Sequence, residues 1–147
     1  MENGTKTVAS LHVCRGNWSE NESILLTGPY TPLLELFVKV NPDLLTLKFS
    51  TPRAGKPSSI LADSRIVEHT ALGLGVINPR TDEIETLDII LSRVEEALTY
   101  LPKERLWLNP DCGFATFSNS PVNILENISC KIRSLTEAVS ILRAKYD

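Results

Sequence analysis

Four short, nearly unbroken apolar runs recur along this chain, with helical patterns between and after them. The runs are Thr7–Cys14 (TVASLHVC), Leu44–Phe49 (LLTLKF), Thr70–Ile77 (TALGLGVI) and Arg105–Leu108 (RLWL). Turn signals close them: Arg15-Gly16-Asn17, Ser50-Thr51-Pro52, Asn78-Pro79 and Asn109-Pro110-Asp111. Continuous hydrophobicity, rather than alternation, is what strands covered on both faces require. A strand that returns to the same sheet through a helix does so in parallel and right-handed. The order therefore predicts an α/β fold with a parallel sheet.

The helical patterns are equally regular. Pro29–Val40 carries Leu33, Leu34, Phe37 and Val40 at helical spacing, and Ser58–Val67 is a shorter candidate. In Asp82–Leu101 the residues Ile84, Leu87, Leu91, Val94, Leu98 and Leu101 step by three or four. Asp82 with Glu85 reads as a capping box, and Pro102 as the stop. The last helix is expected over Pro121–Lys145, capped by Ser120, with Ile124, Ile128, Leu135, Val139 and Leu142 along one face.

Composition narrows the class. At 147 residues there is room for one domain, spanning 1–147. Lys plus Arg number 15 against 18 Asp plus Glu, which is no balance for a phosphate backbone or an anionic bilayer surface. No apolar run approaches a membrane span, and the start MENGTKTVASLHV lacks a secretory h-region. Cys14, Cys112 and Cys130 make an odd count, which reads as thiols or metal ligands in a cytoplasmic protein. Met1 and a helix running to the last residues predict a complete short product.

In β-α architectures ligands bind beyond the carboxyl ends of the strands. The residues with chemistry lie there: His12, Cys14, Arg15 and Asn17 after the first strand, and Lys48 and Arg53 after the second. Asn78 and Arg80 follow the third, and Asn109, Asp111 and Cys112 the fourth. His12 and Cys14, two apart on an extended strand, share a face. An imidazole and a thiolate there can hold zinc, with Cys112 as third ligand, or can be a packed histidine with two buried thiols. Arg15, Arg53 and Arg80 follow three different strands and either converge on a small anion or are separately solvated. Cys130 lies mid-helix and reads as structural.

Four segments carry a resemblance: HVCRGNW (12–18), LKFSTPRAG (47–55), LGLGVINPRTDEIET (72–86) and ERLWLNPDCGFATF (104–117). They resemble the C-terminal catalytic part of cobalamin-independent methionine synthases, and within these the shorter microbial and fungal methionine-synthase-II-like proteins. The resemblance implies a (β/α)₈ barrel whose zinc activates a thiol for methyl transfer from a folate. It implies His12, Cys14 and Cys112 as zinc ligands. The family's fourth ligand, a glutamate, falls on Lys48, and an ammonium cannot ligate zinc. The four strands match the last four of eight, so the chain is expected to be the C-terminal half of a TIM barrel. Two copies could close one barrel and bury both open sheet edges.

Three functions follow as expectations. One is a repurposed enzyme of specialised metabolism, a lyase, isomerase or cyclase acting on a small anionic substrate. In it Lys48, Asp111 and His12 are catalytic, and Arg15, Asn17, Arg53, Asn78, Arg80 and Asn109 bind substrate. The second retains zinc-dependent S-methyl transfer of the 5-methyltetrahydrofolate–homocysteine type. The third is a non-catalytic partner subunit. With Lys48 beside the ligands, zinc is expected to be weak or absent.

Overall fold

The structure is a computed structural model and describes residues 7–147. Four parallel strands form one sheet in the order β1-β2-β3-β4: Ser10–Val13, Leu44–Lys48, Ala71–Ile77 and Leu106–Pro110. Between them run α1 (Leu34–Val40), α2 (Ser58–Leu61), α3 (Ser64–Val67) and α4 (Leu87–Leu98). A small hairpin follows, β5 (Ala115–Phe117) with β6 (Ser120–Pro121), and then α5 (Leu125–Tyr146). No helix among the described residues is long and apolar enough to cross a membrane.

The two faces of the sheet differ sharply. In register across it, Leu11–Leu45–Leu72–Leu106 and Val13–Leu47–Leu74–Leu108 make two wholly aliphatic rows. These rows join the main core, which includes Phe37, Ile60, Ile90, Val94 and Leu135 from the helices. The opposite rows are His12–Thr46–Gly73–Trp107 and Lys48–Gly75–Asn109. On that face Trp107 is 57% exposed and His12 is exposed. The expectation of four strands covered on both faces is therefore corrected. β2 and β3 are largely buried, whereas β1 and β4 are half-open edge strands.

Helix starts also move. Thr86, not Asp82, caps α4, its hydroxyl accepting from Ile89 N at 3.4 Å. Glu85 cannot serve a capping box, because its carboxylate accepts from Asn78 N and from Lys131. Ser120 and Pro121 belong to the hairpin, so α5 begins four residues late at Leu125, with Asn123 Oδ1 accepting from Ile124 N. The helix candidate over Ser58–Val67 breaks in two, and Asp63 caps the second half through Arg65 N.

Candidate active site

At the carboxyl end of β1, three soft donors meet. Cys14 Sγ lies 3.3 Å from Cys112 Sγ, and Cys112 Sγ lies 3.7 Å from His12 Nε2. All three donor atoms sit within 4.8 Å of one another. The imidazole is oriented from behind: Nδ1 lies 3.1 Å from the Thr46 carbonyl. A carbonyl only accepts, so Nδ1 carries the proton and Nε2 offers its lone pair to the thiols. Gly16 supports Cys14 by donating its N–H to the sulfur at 3.3 Å. Its φ of 104° is open to glycine and strained for other residues.

These residues fit zinc. Bonds of about 2.3 Å to sulfur and 2.0–2.1 Å to nitrogen hold tetrahedral donors roughly 3.5–3.8 Å apart, close to the spacing here. Burial and the adjacent Cys14 thiol push Cys112 up to about 12. A coordinated cation reverses that, since a metal-bound thiol is deprotonated. Cys14 is exposed and Cys112 half-buried, so these are not the buried thiols of a packed core.

Lys48, at the end of β2, is buried to 4% exposure. Its Nζ donates to the Gly16 carbonyl at 3.2 Å. Tyr30 clasps the same residue by its backbone, the phenol oxygen accepting from Lys48 N at 3.0 Å. Burial, and then the Arg80 charge, hold the Lys48 ammonium below its ordinary value, against an opposing pull from Asp111, Cys112 and Cys14. Asp111, 1% exposed, crosses over β3 to accept from Phe49 N (3.1 Å), Ser50 N (3.0 Å) and the Ser50 hydroxyl. Gly75 makes this crossing possible, because a Cβ there would overlap Asp111 Oδ1. Burial raises Asp111 to about 6 despite those donors.

Of the two readings the sequence left open, the structure brings Arg15, Arg53 and Arg80 to one narrow cleft with Lys48, Asp111 and Glu22. Arg15 stacks on Tyr30 with 4.1 Å from guanidinium carbon to ring centre, and donates to the Arg53 carbonyl. Arg53 donates to the Leu25 carbonyl at 3.0 Å. Arg80 donates to Glu22 at 2.8 Å, and Asn78 donates to the same oxygen at 2.7 Å. Burial works to raise the Glu22 carboxyl, but these two hydrogen bonds together with the Arg80 and Arg53 charges hold it low.

The remaining candidates are placed less directly. Asn17 donates to the Gly113 carbonyl and accepts at its own carbonyl from Thr116, tying the first strand end to the fourth. Asn109 turns its amide nitrogen to the Pro110 carbonyl while its oxygen lies beside Gly73. Sequence reasoning missed Glu22, Tyr30 and Ser50, which position Arg80, Lys48 and Asp111. Glu22 sits in a polar loop and carries no local signal. Cys130 is half-buried within α5, away from these groups, in keeping with a structural thiol.

The family model described as "Cobalamin-independent synthase, Catalytic domain" matches residues 3–128. The chain is 30% identical over 131 residues to YxjG, an uncharacterized protein of Bacillus subtilis, covering 87% of this chain and 33% of that protein. It is 36% identical over 75 residues to a 5-methyltetrahydropteroyltriglutamate–homocysteine methyltransferase of Photobacterium profundum, covering 51% of this chain and 9% of that protein. Among solved structures, a B12-independent methionine synthase from Shewanella sp. W3-18-1, in complex with selenomethionine, superposes with a TM-score of 0.75 at 21% identity. That match covers 97% of this chain and 40% of the other, so the fold is part of the barrel of such a domain. The chain thus spans a third or less of the length of these two sequence relatives, and on the strength of the family match it belongs to the cobalamin-independent methionine synthase catalytic-domain family.

Proposed function

We propose that this chain is the site-bearing half of a methionine-synthase-like enzyme repurposed for a small anionic substrate in the cytosol, by chemistry other than methyl transfer. The carrying observation is Lys48, a buried cation where the family's fourth zinc ligand is expected, with its ammonium beside the two thiols' end of the sheet. His12, Cys14 and Cys112 would hold a zinc ion with an open position, and such an ion lowers the pKa of a bound thiol or water. A charged Lys48 beside that ion would repel it and weaken its binding, since close like charges repel in a low-dielectric site. Burial favours loss of the Lys48 proton, and the neutral amine that remains is suited to act as a base or to form an imine. His12 Nε2 can move a proton at the mouth, and Asp111 fixes the turn after β2. Arg15, Arg53 and Arg80 orient the anionic end of the substrate. Candidate reactions are elimination, isomerisation or cyclisation.

A second reading, zinc-dependent S-methyl transfer, is favoured by the intact three-donor cluster. The two part on one assay. The repurposed reading expects no methyl transfer from a methyltetrahydrofolate to homocysteine at any zinc loading. Turnover comparable to a full-length synthase would overturn it.

The open half of the sheet completes the proposal. Among the described residues β1 and β4 each have one unpaired edge, and the bare face carries Trp107 in the same row as Gly73. An apolar groove along β4, lined by Leu98, Leu106, Trp107, Val139 and Tyr146, flanks that edge. A second copy turned about the barrel axis pairs its β1 with this β4 and its β4 with this β1. Eight parallel strands would then close one barrel. Light scattering at micromolar concentration is expected to give twice 16.3 kDa. A monomer mass, or assembly only with a different chain, would favour the non-catalytic partner role instead.

A further inference from the structure

We propose that the cleft between Arg15, Lys48, Arg53 and Arg80 binds a compact dianion, a phosphate monoester or phosphonate head. This rests on the reading above and names the substrate's anionic end. Four cations line the cleft against two carboxylates, Glu22 and Asp111, which leaves two positive charges with both acids ionised. Neither acid can neutralise more than it already does. Glu22 is engaged by Arg80 and Asn78, and Asp111 by Phe49 N, Ser50 N and the Ser50 hydroxyl.

The donors left over point to a ligand. The Arg80 side chain is 2% exposed, yet its Nε and Nη1 have no hydrogen-bond partner among the described residues. Arg15, 8% exposed, leaves Nε unmet in the same cleft. Arg65 shows what a structural guanidinium does here: at the surface it takes both Asp63 and Glu35. Buried unmet N–H groups on guanidinium are costly unless an acceptor arrives. The cleft is tight, with free space for little more than one water, so a compact head group entering as the arginine side chains part suits it better than an extended dicarboxylate. Planar guanidinium donors match phosphoryl oxygens well.

Inorganic phosphate is the probe, titrated into the full chain by calorimetry at fixed pH and ionic strength, with acetate as the monoanionic control. Phosphate is expected to bind at least tenfold more tightly than acetate. Arg80→Gln and, separately, Arg15→Gln are each expected to weaken phosphate tenfold or more, while Arg133→Gln on the exposed side of α5 leaves it unchanged. Circular dichroism checks that each variant is folded, and the second keeps the test alive where the first is not. Phosphate no tighter than acetate, or equal binding by wild type and both folded variants, overturns the inference. Zinc titration of the same samples separates the two readings. Zinc bound without a phosphate preference sinks the dianion alone, whereas phosphate bound without zinc in wild type or Lys48→Glu sinks only the metal site.

Discussion

Among the described residues two lysines are almost wholly buried, and they are held in opposite ways. Lys131, on α5, is 0% exposed. Its ammonium donates to the Glu83 carbonyl and lies 3.1 Å from a Glu85 carboxylate oxygen. The other oxygen of Glu85 accepts from Asn78 N at 2.7 Å, so the pair pins the end of β3 to the last helix. Among the described residues Lys48 has no carboxylate in hydrogen-bond reach. Its ammonium meets one backbone carbonyl and shares its cleft with three arginines, while the two carboxylates there, Glu22 and Asp111, are hydrogen-bonded to other donors. A buried charge with a matched partner holds a fold together. A buried charge set among like charges costs stability, and such groups are kept where they act on something else.

The comparison can be broken by substitution. Lys131→Ala should be the most damaging change, at about 3–5 kcal/mol by urea denaturation, because it strands the Glu85 carboxylate. A loss under about 1 kcal/mol would mean the pair is not structural. Asp111→Ala comes next, at roughly 2–3 kcal/mol, since Phe49 N and Ser50 N would lose a buried acceptor. Lys48→Met should change stability by no more than about 1 kcal/mol, or raise it, because only one carbonyl loses its donor.

The pH dependence sharpens the same contrast. Burial holds the folded Lys48 below its ordinary 10.5, so the native state binds fewer protons there than the unfolded chain. The penalty is full below the folded pKa and fades as pH rises from it toward 10.5. Wild type should therefore gain stability relative to Lys48→Met as pH rises through that window, read as the difference between two urea series. A difference that stays flat would place Lys48 in water.

Much of this was legible in the chain. The four strands were visible because the interior rows of a parallel sheet need unbroken Leu, Val and Ile. The thiol and imidazole cluster was visible because strand ends gather chemistry on one rim. Lys131 was passed over although it lies three residues after Ile128 and four before Leu135, on the apolar face of α5. Its partner Glu85 was assigned to a helix cap, a local role, while a distant lysine claimed it. Ser120-Pro121 read as a helix start, yet the hairpin with β5 took those residues first. Glu22 and Tyr30 act through side-chain contacts with distant strand ends, which local spacing does not encode.

The central claim is that Lys48 turns an inherited zinc site toward anion chemistry, and zinc titration under reducing conditions tests it most directly. Wild type and Lys48→Glu would be compared at equal concentration with a competing chelator. The substitution changes the local charge by two units and supplies a carboxylate donor. The account predicts that Lys48→Glu binds one zinc per chain at least a hundredfold more tightly than wild type, roughly 3 kcal/mol. If wild type binds zinc as tightly as Lys48→Glu, Lys48 does not oppose the metal, and the claim is contradicted.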